Sequence, residues 1–180
     1  MRTEPAMMKL RTLLPLSLLF LCIAGAVADD SVVAISVDEI HADASTLEGQ
    51  RYISTGQPSE ETLSLAREAG FVAVIDMRTE SEDRGFNEAA AVSALGMEYI
   101  QLPVAGAQGT TFENAAALDD ILAGIDGPVL MHCASGNRVG ALIALRESAN
   151  GASADDAIAA GKAAGLTRLE ARVTELLTEQ

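Results

Sequence analysis

Short apolar runs separated by amphipathic, capped segments predict an alternation of strands and helices along most of the chain. The clearest run is Phe71-Val72-Ala73-Val74-Ile75-Asp76-Met77, apolar up to its aspartate, as a strand reads when helices cover both faces of its sheet. Val32-Val33-Ala34-Ile35, Arg51-Tyr52-Ile53-Ser54, Met97-Glu98-Tyr99-Ile100-Gln101-Leu102 and Val129-Leu130-Met131 predict four further strands. Ser59, with Glu60 and Glu61 after it, opens a helix that Gly70 ends. A second helix is expected over 86–95, closed by Gly96, and a third over 112–124, capped by Thr111. The mostly apolar stretch Val139–Arg146 predicts a helix after the last strand. Ser153 with Asp156, and Thr167 with Glu170, have capping-box spacing and predict two more at the end. The segment between Ile35 and Arg51 is acidic and weakly patterned, and reads as an irregular approach. The expected fold is therefore α/β: a mostly parallel central sheet flanked by helices, with a C-terminal helical tail and its site at the carboxyl ends of the strands.

One of those strand ends carries chemistry. His132-Cys133-Ala134-Ser135-Gly136-Asn137-Arg138 puts a cysteine and an arginine at the two ends of a small-residue loop between a strand and a helix. Unpaired amides at a helix N-terminus converge on an anion there, and the helix dipole adds roughly half a positive charge. The same field favours a thiolate at Cys133, while Arg138 presents a fork of donors to a tetrahedral oxyanion. Ala134, Ser135, Gly136 and Asn137 form the anion-binding loop, with Gly136 letting the backbone turn inward. His132 either hydrogen-bonds around the loop or is a satisfied core imidazole. Asp76 and Arg78 end the neighbouring strand and either brace the loop or pair on the surface.

The first residues read as a secretory leader. Lys9 and Arg11 precede an apolar run from Leu13 to Ala28 that ends in a small-x-small cleavage signal, with Asp29 and Asp30 beyond it. Cleavage near Ala28 divides the chain into a signal peptide over 1–28, an irregular segment over 29–50 and a catalytic-type domain over 51–180. It implies a periplasmic or secreted protein with no stable membrane anchor. Cleavage also removes Cys22, leaving Cys133 as the single cysteine and an intramolecular disulfide impossible. The full chain has a net charge of −14, and losing Arg2, Lys9, Arg11 and Glu4 makes the remainder more acidic still. Nucleic acid is therefore excluded as a partner, and an anionic substrate must be held by local donors against the long-range field. His41, His132 and Cys133 offer no metal-ligand spacing, and no cofactor is expected.

Tyr52-Ile53-Ser54-Thr55-Gly56-Gln57-Pro58-Ser59, Val74–Arg78, Glu98–Val104 and His132–Arg138 resemble the phosphatase-like domain of beta-lactamase-hydrolase-like proteins. That family lies within the cysteine-based, dual-specificity-type tyrosine phosphatase superfamily, and the resemblance covers residues 50–180. It implies a dual-specificity-phosphatase-like sheet, Cys133 as nucleophile, Arg138 as oxyanion clamp and the amides of 134–138 as cradle. The sequence departs from tyrosine-type phosphatases in three ways. Four residues rather than five separate Cys133 from Arg138, which is the spacing of rhodanese sulfurtransferases. Val139 stands where a Ser or Thr hydroxyl usually helps the thiolate leave. The loop Val104–Thr111 contains no carboxylate to act as general acid; Glu113 or a residue of Glu80-Ser81-Glu82-Asp83 is the available substitute. The leading expectation is an exported, cysteine-dependent hydrolase of phosphate monoesters, on protein tyrosine or small aryl phosphates, through a phosphocysteine. A rhodanese-like sulfurtransferase carrying a persulfide on Cys133 and an oxyanion-binding module without turnover remain the alternatives.

Overall fold

The structure, a computed structural model, describes residues 30–179; the expected leader lies outside the described residues. Strands β1 (Val32–Ala34), β2 (Tyr52–Thr55), β3 (Ala73–Asp76), β4 (Glu98–Gln101) and β5 (Val129–His132) form one sheet ordered β1-β2-β5-β3-β4. Every neighbouring pair is parallel. The helices are α1 (Val37–Ala42), α2 (Glu60–Glu68), α3 (Glu88–Ala94), α4 (Phe112–Ala123), α5 (Asn137–Ala149), α6 (Ala154–Ala163) and α7 (Glu170–Thr178).

Strand periodicity sorts the core into two faces. Val129, Met131 and Cys133 pack with Ala73, Ile75, Met77, Val104, Val139 and Leu142 on the side of α4 and α5. Leu130 lies on the other side, with Ile53, Leu63, Phe71, Val74 and Val92, beneath α1, α2 and α3. As the central strand, β5 is buried along its whole length, so its continuous apolar run is explained by cover on both faces. Ser59, Thr111 and Ser153 cap α2, α4 and α6 as expected.

Two segments differ from the expectation. The approach after β1 is ordered rather than irregular: α1 is followed by a 3-10 turn over Ala44–Leu47. Ser36 and Glu39 form a reciprocal capping box, and Ile40 and Leu47 are fully buried against the Leu130 face. At the other end, Thr167 does not cap α7, whose N-cap is Leu169 with no side-chain bond. Thr167 N and Oγ1 instead donate to Asn137 Oδ1 at 2.8 and 3.1 Å. The Asn137 amide oxygen competes successfully for the groups that a capping box would use.

Helix α5, buried from Val139 to Leu145, is held very close to α6 and the turn after it. A Cβ built on Gly140 meets the backbone N of Leu166 and lies 2.6 Å from Gly161 O, so backbone rather than a flexible side chain blocks it. Gly140→Ala is expected to destabilise the fold by about 1–3 kcal/mol, measured as a lower urea midpoint at unchanged slope. An unchanged midpoint would show that the helices move apart freely.

Candidate active site

Cys133 directly follows β5, and α5 begins four residues later. Between them Gly136 adopts φ 77°, in the left-handed region, where an L side chain is strained by roughly 1–2 kcal/mol. Gly136 is also the N-cap of α5 and supplies no side-chain bond, leaving first-turn amides as unpaired donors. The loop is pinned from one side by a bridge between Ser135 and Gly56, which places the Thr55–Pro58 turn against the cradle. On the other side, Asn137 Oδ1 accepts from Thr167 N, Thr167 Oγ1 and, at 3.3 Å, Leu169 N. The Asn137 side chain is thus an anchor rather than an anion ligand, while its residue still lines the cavity.

That cavity has a volume of about 260 Å³ and is lined by Gly106, Cys133, Ala134, Ser135, Asn137, Arg138, Arg168 and Leu169. A larger one of about 520 Å³ lies across the loop, bordered by Ser54–Gln57, Ala34–Glu39 and the outer side of Ala134–Gly136. The larger cavity has neither a thiol nor a cation in its lining, so the reactive side of the loop is the smaller one.

Arg138 is fixed by acceptors on three segments. Nη1 donates to Glu82 Oε1 at 2.6 Å, to Met77 O at 3.2 Å and to Val104 O at 3.1 Å, and Nη2 donates to Glu82 Oε2 at 2.8 Å. These bonds use both Nη1 protons and one on Nη2. Nε–H and the second Nη2–H remain, a two-pronged donor set for an oxyanion. Glu82 also accepts from Thr79 N at 2.9 Å, Thr79 Oγ1 at 3.2 Å and Arg78 Nε at 3.3 Å. The Arg138 bond, foremost, holds the Glu82 carboxyl far below the usual glutamate range despite partial burial. Glu82 is therefore ionised at neutral pH and is no general acid. Glu113 is exposed and does not line the cavity. Among the described residues no carboxylate lines it: Glu80, Glu82, Asp83 and Glu113 all lie outside the lining.

Asp76 and Arg78 make their side-chain bonds with the 78–84 loop, Gln57, Tyr99 and His132 rather than with the cradle itself. Asp76 is fully buried; its Oδ1 accepts from Arg78 N at 2.7 Å and its Oδ2 from Arg84 Nε at 2.5 Å and Tyr99 OH at 2.7 Å. Burial first, and the Asp76 bond second, push the Tyr99 phenol up to about 12, so it stays a donor. Arg84 also donates to the carbonyls of Arg78, Thr79 and Glu82, shaping the loop that presents Glu82. Arg78 Nη1 donates to Gln57 Oε1, tying this loop to the turn beside the cradle. The charged stretch 78–84, which in sequence offers only a substitute general acid, is a built scaffold for Arg138.

His132 points away from the nucleophile, because adjacent strand residues face opposite sides of a sheet. It is fully buried, with Nε2 2.8 Å from Glu88 Oε1 and 3.6 Å from Asp76 Oδ1. Its polar contacts are therefore to carboxylates on the face away from the nucleophile rather than around the cradle. The fold gathers Asp76, Glu88 and His132 into a donor set that linear spacing does not reveal. The cation facing it is the Arg84 guanidinium, 2.5 Å from Asp76 and 3.9 Å from Glu88. Val139, lacking a hydroxyl, packs in the core with no exposed surface.

A family described as "DSP-PTPase phosphatase fused to NAD+ Kinase" matches residues 27–175. A beta-lactamase hydrolase-like protein of Agrobacterium fabrum is 31% identical over 106 residues, 57% of this chain and 24% of that protein. The chain thus spans about a quarter of that relative's length. Among solved structures, a candidate phosphatase of Neisseria meningitidis Z2491 superposes with a TM-score of 0.59 at 18% identity, covering 68% of this chain and 91% of the other. A serine-substituted TpbA of Pseudomonas aeruginosa in complex with phosphotyrosine gives 0.53 at 17%, covering 68% and 75%. These structures share the fold, and the family match spans most of this sequence: the chain belongs to the PTP-NADK family of dual-specificity-type phosphatase domains.

Proposed function

We propose that this domain hydrolyses phosphate monoesters, aryl esters foremost, with Cys133 as nucleophile. The observation that carries the reading is the convergence of Cys133, the uncapped start of α5 and the free prongs of Arg138 on one cavity. The Cys133 thiolate attacks phosphorus in line; the S–P bond forms as the ester P–O bond breaks, and the leaving oxygen departs with the bonding pair. Water then attacks phosphorus, the S–P bond breaks back to thiolate, and inorganic phosphate leaves with the water oxygen. Arg138 and the amides stabilise the three equatorial oxygens in both steps.

The cavity's lack of a carboxylate shapes the substrate range. General acid catalysis contributes about 10²–10⁴-fold, and that help is missing when the leaving group is a poorly acidic alcohol. Rates are expected to rise steeply with leaving-group acidity across a series of substituted phenyl phosphates, with glycerol phosphate hydrolysed slowest. A flat series would contradict the reading by revealing an efficient proton donor.

Sulfur transfer is the second reading, and the four-residue gap between Cys133 and Arg138 favours it. There the thiolate takes the outer sulfur of thiosulfate, sulfite leaves, and a second thiol or cyanide removes the sulfur from the persulfide. The family membership favours phosphate. The leader-like N-terminus supports action outside the cytoplasm, on a small oxyanion or phosphorylated compound rather than nucleic acid. No described helix is long and apolar enough to cross a membrane.

A further inference from the structure

Arg168 is the unexplained group in the Cys133 cavity. It is exposed, and it lines the same cavity as Cys133 and Arg138. Arg51, Arg78, Arg84, Arg138, Arg146, Arg172 and Lys162 each pair with a carboxylate, and Arg67 donates to Phe71 O. Among the described residues Arg168 alone of the lysines and arginines has neither an ion pair nor a hydrogen bond. That is unusual in a chain of net charge −14, where carboxylates are plentiful.

Its placement is also built. Asn137, inside the cradle, accepts hydrogen bonds from Thr167 and Leu169, the residues on either side of Arg168. Gly165, just before them, packs on the Gly136 backbone: a Cβ there would lie 3.3 Å from Gly136 O. The cradle therefore fixes the backbone that carries Arg168, and the start of α7 beside it carries no side-chain cap. Arg138 is committed to one oxyanion and to Glu82, so a second cation at the rim answers a second negative charge.

We propose that Arg168 is a specificity-determining residue that binds a second phosphate of a small bisphosphorylated compound while the first phosphate occupies the cradle. This rests on the phosphate reading of the site, but its binding test does not require turnover. A doubly charged ligand gains a local contact that offsets the repulsion of the acidic surface.

The test uses the Cys133→Ser protein, which holds ligand without reacting, and calorimetric titration with inorganic phosphate and with pyrophosphate. Pyrophosphate is expected to bind about tenfold more tightly than phosphate, on the scale of one charge-assisted contact. Adding Arg168→Gln is expected to bring the ratio of the two affinities close to one, and Arg168→Lys to retain part of it. Arg172→Gln on the exposed face of α7 removes the same charge and is expected to leave the ratio standing. An intact ratio in Arg168→Gln, an equal fall for both anions, or the same loss in Arg172→Gln would overturn the assignment. If the ratio behaves as expected while the wild-type protein releases no phosphate from phenyl phosphate, the hydrolytic reading fails and the binding assignment stands.

Discussion

Changing Cys133 to serine is expected to lower phenyl phosphate turnover by at least about a thousandfold, to the background of the assay. A hydroxyl carries almost no anion at neutral pH, and the helix field that favours a thiolate cannot make up that difference. Cys133 is 1% exposed and packs with Val104, Val139 and Leu142, so the near-isosteric change alters little volume. The unfolding free energy from urea titration is expected to stay within about 1–2 kcal/mol of wild type, and phosphate is expected still to bind. Retained turnover in the serine variant would remove the nucleophile from the account. Lost turnover together with a collapsed midpoint would report unfolding, and phosphate binding separates the two.

The second large effect concerns Arg138. Arg138→Ala is expected to cost about 10²–10³-fold in kcat/KM, the range for removing a preorganised oxyanion donor. Arg138→Lys should recover little of this. Glu82 and the carbonyls of Met77 and Val104 are matched to a planar fork, and an ammonium ion has no second prong. Glu82→Gln should cost roughly tenfold, because neutralising the carboxylate weakens a charge-assisted bond without emptying the position. Glu82 acts only by positioning Arg138, so the double variant is expected to be no worse than Arg138→Ala alone. Additive losses would mean that Glu82 also touches the substrate or the leaving group.

The sheet was largely legible in the sequence because its inner strands β3 and β5 are buried on both faces and so appear as mostly apolar runs. The cradle was legible because a loop joining strand to helix must use local residues, and Cys133 and Arg138 lie within one turn of each other. What stayed hidden depends on residues far apart in the chain. Glu82 reaches Arg138 across a loop whose composition gives no sign of that partner, and the staple that shapes it, Arg84, answers a buried aspartate eight residues earlier. The orientation of His132 follows from strand alternation and was open to derivation; its partner Glu88, at the start of α3, was not. Helix α1 carried its Ser36–Glu39 capping signal plainly, but its six residues are too few to show a periodic face. Arg168 gave no signal, since its importance lies in Asn137 drawing a segment thirty residues away against the cradle.

Phosphorus, rather than sulfur, is the atom that Cys133 is proposed to attack. The direct measurement is peptide mass analysis of Cys133 after brief exposure of the wild-type protein to a substituted phenyl phosphate or, separately, to thiosulfate, each quenched in acid. A phosphate adduct on Cys133 is expected in the first sample, turning over to free phosphate in unquenched protein, and an unmodified thiol in the second. A sulfur adduct from thiosulfate that cyanide converts to thiocyanate, with no phosphate adduct and no phosphate release, would contradict the phosphate reading.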